Sequence, residues 1–287
     1  MDIVKGAEQI CGLFTAGKPF FVGRNGTIET EVLHFWHLRR RNGLSTPYTG
    51  RLRQQLQRNA GIFPDSDESI DRWCAAYVDA LEVMDGGAAG WYKPLVPMEI
   101  SILDTYAAKN SFRTPLRSLE PYYVAPDKRW TQHLAGKRVC VVSSFTETMR
   151  SQVQREGIWD IIDYSATTWS FVKTGYAPAT ALGKATWPVG DTWEEAVKYV
   201  VEKVVASEPD ICLIGCGGLG MVIAGMLKRR GISVFVLGGA IQILFGIKGR
   251  RWETHDVISK FWNDKWVSPA ASEVPGGAAS IEGGCYW

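Results

Sequence analysis

The run Ile211-Cys212-Leu213-Ile214-Gly215-Cys216-Gly217-Gly218-Leu219-Gly220 narrows what this chain can fold into more than any other segment. Four apolar residues without alternation read as a strand buried on both faces, and the glycines after it turn the backbone into a helix over 218–230. A second apolar run at 233–237 follows at once, so strand, helix and strand form a parallel βαβ unit. The same alternation begins near residue 137. Arg138-Val139-Cys140-Val141-Val142-Ser143 reads as a buried strand, with Ser144 or Thr146 available to cap a following helix. Trp169-Ser170-Phe171-Val172 reads as a further short strand. Asp191-Thr192-Trp193-Glu194 has the spacing of an Asp-led capping box, ahead of a helical stripe that runs from Trp193 to Val204. The predicted class is α/β: a Rossmann-like, mostly parallel sheet flanked by helices, with a helical N-terminal part.

In that N-terminal part, Ile3, Val4, Ala7, Ile10, Cys11 and Phe14 recur at helical spacing and stop at Gly17. Pro19-Phe20-Phe21-Val22 is a short strand ending in Gly23, and helical periodicity returns from Ile28 to Asn42-Gly43. Residues 51–60 and 68–84 are further helix candidates, the second stopped by Gly86-Gly87. The last thirty or so residues are aromatic and rich in Gly and Pro without any period, which predicts an extended tail packed on the body. Its Phe261-Trp262-Asn263-Asp264-Lys265-Trp266 covers either the chain's own core or a neighbour's, so an oligomer stays open. The chain is expected to form a single domain, 1–287, with a helix-rich part over 1–130 and a nucleotide-binding α/β part over 131–287.

At 287 residues and 46% hydrophobic, the chain has enough apolar surface for one large core or two modest ones. Lys and Arg total 32 against 30 Asp and Glu, which leaves no global pull toward nucleic acid or an anionic membrane. No stretch approaches the roughly 18 consecutive apolar residues of a membrane span, and the N-terminus lacks a signal-peptide layout, so a cytoplasmic address is expected. The six cysteines include no CxxC pair, which argues against a disulfide framework or a zinc ribbon. His34 and His37 share a helical face without an apparent third ligand, so no metal site is expected from them.

The turn at Gly215–Gly220 suits phosphate, because glycines allow close backbone approach and the helix N-terminus supplies free N–H groups and a positive dipole end. An NAD site would need an acid after the next strand, yet no Asp or Glu occurs from Ile211 to Trp252. Lys228, Arg229, Arg230, Lys248, Arg250 and Arg251 occupy that stretch instead. Lys228-Arg229-Arg230 reads as a solvated helix C-terminus. Lys248-Gly249-Arg250-Arg251 follows a second glycine turn, Gly238-Gly239, and reads as a phosphate-binding loop at the carboxyl edge of the sheet. Two further candidates carry carboxylates. Arg24-Asn25-Gly26-Thr27-Ile28-Glu29 pairs a fixed cation with an acid at a helix start, and Glu120 precedes Tyr122-Tyr123, which could pack on a sugar or base.

The two glycine turns, continuing through Gln242 to Arg250-Arg251-Trp252, resemble the C-terminal half of glycosyltransferase-like proteins of the GT-D fold. Gly23-Arg24-Asn25-Gly26-Thr27-Ile28-Glu29 resembles their R-x-G-x-x-E element, and the ending Ile281-Glu282-Gly283-Gly284-Cys285-Tyr286-Trp287 is similar to that of a subgroup. The resemblance implies a Rossmann-like domain that takes a nucleotide-diphospho-sugar donor and transfers its sugar to a glycan or glycoconjugate acceptor, as in polysaccharide biosynthesis. The family's D-x-E metal motif is here Thr27-Ile28-Glu29, without the first carboxylate, which places divalent-metal dependence in doubt. On this basis Glu29 and Glu120 are the candidate catalytic carboxylates. Arg24, Asn25, Gly26, Gly215, Gly217, Gly218, Gly220, Gly238, Gly239, Gln242, Lys248, Arg250 and Arg251 are the candidate donor-binding residues. A non-catalytic nucleotide- or glycan-binding protein and an S-adenosylmethionine-dependent methyltransferase are the alternatives.

Overall fold

The computed structural model describes residues 2–287. Seven strands form one sheet: β1 (Phe21–Arg24), β2 (Gly86–Ala88), β3 (Phe112–Thr114), β4 (Arg138–Ser143), β5 (Thr168–Lys173), β6 (Ile211–Ile214) and β7 (Ser233–Val236). All pairings are parallel, in the order β3-β2-β1-β7-β6-β4-β5. The helices are α1 (Ile3–Thr15), α2 (Thr27–Arg41), α3 (Gly50–Gln55), α4 (Asp67–Leu81), α5 (Val96–Tyr106), α6 (Leu116–Leu119), α7 (Thr146–Gln152), α8 (Pro178–Ala181), α9 (Trp193–Ala206) and α10 (Gly220–Lys228). This is a Rossmann-like α/β architecture.

A parallel sheet must be covered on both faces, and period-two alternation delivers a core to each. Phe21, Cys140, Val142, Cys212, Ile214 and Val234 pack on one face with α2, α4, α9 and α10. Val22, Val139, Val141, Leu213 and Phe235 pack on the other with α7 and the aromatic C-terminal segment. The three strands β1 to β3 come from residues 1–130, so the sheet runs unbroken across the junction near residue 130. The Gly86-Gly87 pair, expected only to stop a helix, is part of β2. The Phe112 side chain lies where a Cβ on Gly86 would be, so glycine is what lets β3 pair there.

Caps differ from expectation in two places. Helix α9 is capped by Thr192, not Asp191: the Thr192 hydroxyl accepts from Glu195 N (3.3 Å) and donates to Glu195 Oε2 (2.8 Å). Neither Ser144 nor Thr146 caps α7. Glu273, buried and far along the chain, accepts from the N–H groups of Glu147 (2.7 Å) and Thr148 (3.3 Å) and from the Thr148 hydroxyl. The C-terminal segment is not extended either. It folds as successive 3₁₀ turns, and Trp266 is buried edge-on against Trp159 at 5.1 Å, covering the chain's own core. Among the described residues no helix is long and apolar enough to cross a membrane.

Candidate functional site

Strand order reverses between β1 and β7, and a cleft of about 490 Å³ opens there at the carboxyl ends of the strands. This is where open α/β sheets place ligands. Its walls are the segments that leave the sheet: Arg24 and Gly26 after β1, Ser143 and Ser144 at the end of β4, Thr174 to Ala177 after β5, Gly215 to Gly217 after β6, and Gly238 to Ile241 after β7. The C-terminal segment closes one side with Ile281, Glu282, Tyr286 and Trp287.

Arg24 sits at the end of β1 with its guanidinium over the Trp91 ring (4.8 Å), and the Gly238 turn passes close by it. Glu29 lies in the first turn of α2 and folds back over Gly26, where a Cβ would collide with its carboxylate. Glu29 is buried, and burial foremost pushes its pKa above the ordinary glutamate value. The Arg24 charge pulls it down and the Glu282 charge adds to the rise. Glu120 is half-buried in the same cleft and is also raised by burial. Both candidate carboxylates therefore face one cavity.

Asn25, expected among the ligand-binding residues, is a structural hub instead. Its Oδ1 accepts from Tyr77 OH (2.9 Å), its Nδ2 donates to Glu99 Oε1 (3.4 Å), and its carbonyl accepts from Trp91 Nε1 (3.2 Å). Glu99, buried and shifted up by burial, also accepts from Gly90 N (2.7 Å), so the network fixes the loop carrying Trp91.

The glycines divide in the same way. Gly215, Gly217, Gly238 and Gly239 line the cleft. Gly218 does not: its carbonyl accepts from Trp73 Nε1 (3.0 Å) and its α-carbon packs on Ala60. Gly220 lies against Val236 and Ile214, giving α10 its close approach to the sheet. Even Gly217, at φ +49°, leaves a Cβ only 2.8 Å from the Ala60 carbonyl oxygen.

Of the basic loop, only Arg251 reaches the cleft. Lys248, whose N–H bonds the Val267 carbonyl (2.7 Å), lies over the Trp262 ring (5.5 Å), and Arg250 bonds to the Gly283 carbonyl (3.4 Å), because the 3₁₀ turn at Arg250–Trp252 sends Arg250 and Arg251 in different directions. Gln242 is wholly buried and donates to the carbonyls of Lys248 and Tyr286 (both 3.1 Å), tying the loop to the C-terminal segment. Lys228 is not a solvated cap: it bonds Asp85 Oδ2 (2.5 Å) and the Val83 carbonyl (2.6 Å). His37 bonds Tyr106 OH (3.0 Å) through Nδ1, and among the described residues no group of three or more His, Cys, Asp or Glu is placed to hold a metal ion.

No protein-family model matches the chain, and no curated protein matches it. A solved structure described as the selenomethionine-substituted structure of domain of unknown function 1792 (DUF1792) aligns over 83% of each chain, at 12% identity and a TM-score of 0.40. At that level of likeness no residue role passes from one protein to the other.

Several cleft residues carried no sequence signal: Arg58, Trp91, Tyr176, Trp187 and His255. Each stands alone in its local segment and joins the site only through the fold. His255 is partly specified by its contacts. Its Nδ1 accepts from the N–H groups of Val257 (3.2 Å) and Ile258 (3.3 Å), which places a proton on Nε2.

Proposed function

We propose that this protein is a glycosyltransferase that moves a sugar from a nucleotide-diphospho-sugar to a glycan or glycoconjugate acceptor. One observation carries the proposal. The Arg24–Glu29 element and the glycine turns after β6 and β7, remote in sequence, line a single cleft at the switch point, with Arg251 on its wall.

The division of labour follows from the chemistry of each group. The turns at Gly215–Gly217 and Gly238–Gly239 offer backbone to the nucleotide's phosphates. Arg251 and Arg24 supply positive charge to the leaving diphosphate as the bond from its oxygen to the sugar's anomeric carbon breaks, the stage at which fixed cations contribute most. A carboxylate whose pKa is lifted by burial is better matched to taking a proton near neutrality, so Glu29, or Glu120 across the cleft, is assigned to the acceptor hydroxyl or to orienting the donor sugar. Trp91 and Trp187 line the cleft, where an indole can pack against a base or sugar ring. No step is routed through a divalent ion, since Glu29 has no partner carboxylate two residues before it.

The test is turnover. A panel of nucleotide-sugars is incubated with wild type and E29Q, and release of nucleoside diphosphate is followed with and without glycan acceptors. Release by wild type and its loss in a folded E29Q support the proposal. Nucleotide binding without release on any donor favours a binding module, and binding of S-adenosylmethionine alone favours a methyltransferase.

A further inference from the structure

Arg251 is the one member of the basic loop in the cleft, yet its charge is already engaged. Its Nη2 pairs with Glu282 Oε2, its Nη1 bonds Tyr286 OH (3.2 Å), its guanidinium lies over the Tyr286 ring (4.6 Å), and its N–H bonds the Cys285 carbonyl (3.1 Å). Glu282 and Tyr286 both line the cleft themselves. The backbone that delivers Glu282 is unusual: Glu282 has φ +46°, followed by Gly283 at +71° and Gly284 at +77°. Left-handed backbone is disfavoured for a glutamate, and the segment is held there by its own turn hydrogen bond from Gly284 N to the Ile281 carbonyl (2.8 Å) together with the contacts to Arg251.

We propose that Arg251 is the seat for the donor's diphosphate and that Glu282 occupies this seat while the cleft is empty. This inference rests on the proposed function. A carboxylate and a phosphate present the same forked pair of anionic oxygens to a guanidinium, so one can stand in for the other. The diphosphate carries more charge than the carboxylate and takes over the guanidinium, freeing Glu282 from the cleft. Segment 281–287 is thereby a self-competitor: it weakens binding of short anions and yields to a ligand that fills the rest of the cleft.

Binding of UDP, GDP, dTDP and CDP is measured by calorimetry on wild type, E282Q, E282A and R251M, and on E282Q/R251M. Side chains at this pair are 34% and 43% exposed, so the competition is modest. Removing the Glu282 carboxylate should tighten the bound nucleotide roughly two- to five-fold, the scale of a partly exposed ion pair. R251M should weaken it, and the gain from E282Q should vanish in the R251M background. Both Glu282 variants are made so that a folding defect in one does not decide the result. If wild type binds a nucleoside diphosphate and E282Q and E282A bind it no tighter, Glu282 only fastens the segment and the inference is overturned while the proposed function stands. If no nucleoside diphosphate binds wild type or either variant, both fall.

Discussion

Replacing Glu273 with Ala should destabilise the protein by about 3–4 kcal/mol, although Glu273 lies outside every regular helix and strand. The carboxylate is 1% exposed and is the only side-chain cap found at the N-terminus of α7. It accepts from Glu147 N at 2.7 Å, from Thr148 N at 3.3 Å, and from the buried Thr148 hydroxyl. Loss of a helix cap costs about 1–2 kcal/mol, and stranding a buried donor that was bonded to a charge costs about 1.5–3 kcal/mol; these share partners and are not fully additive. The Glu273 carbonyl separately accepts from Tyr176 OH (2.8 Å) and Trp287 Nε1 (3.0 Å), contacts that a side-chain substitution leaves in place. Urea denaturation of wild type, E273A and E273Q gives the numbers, with E273Q between the other two because its carbonyl can still accept one bond. A loss below about 1 kcal/mol in E273A, at an unchanged denaturant slope, would refute the view that a distant carboxylate builds this helix terminus.

Three further outcomes follow from the site. Because burial raises the Glu29 pKa, its contribution to stability is fully present below the ordinary value of 4.5 and is lost as pH rises through the folded-state value. E29Q should therefore be at least as stable as wild type at pH 7, with the gap closing toward pH 4.5 in thermal melts, and a wild type clearly more stable at pH 7 contradicts this. G217A should lose about 1–3 kcal/mol without any ligand, from its left-handed φ and the approach to Ala60 O; an unchanged melting temperature would show that the glycine serves ligand approach alone. H255N keeps an acceptor where Nδ1 caps the Val257 and Ile258 amides but removes the Nε2–H donor, so it should retain its melting temperature and bind nucleoside diphosphate roughly three- to ten-fold more weakly. Equal affinity in wild type and H255N would remove His255 from the ligand contacts.

How much of this was legible in sequence depended on length and period. Strands β4, β6 and β7 are apolar runs, and helices α1, α2, α4, α9 and α10 carry apolar stripes, so both kinds were readable. Strands β2 and β3 were not. Each has three residues, and β2 is Gly-Gly-Ala, whose burial comes from the neighbouring Phe112 rather than from its own side chains. Helix α5 escaped because its buried positions are few and include Glu99. In the site, Arg24, Glu29 and the glycine turns were legible as local motifs. The same glycine signal also marked Gly218 and Gly220, which serve packing, because a tight helix–sheet contact and a phosphate cradle need the same missing Cβ. Lys248 and Arg250 looked equivalent to Arg251 in sequence; the bridge of the Lys248 segment to Val267 and the 3₁₀ turn at Arg250–Trp252 separate them. The pairing of Arg251 with Glu282 joins two loops and leaves no trace in either segment alone.

The most direct test of the central claim is a thermal-shift panel of UDP, GDP, dTDP, CDP, NAD and S-adenosylmethionine on the wild-type protein, each with and without manganese. A ligand at a hundred times its dissociation constant stabilises the folded state by about 2.7 kcal/mol, ample for detection. Stabilisation by a nucleoside diphosphate, present without manganese and weakened in R251M, is the predicted result. Stabilisation by NAD or S-adenosylmethionine alone would contradict it.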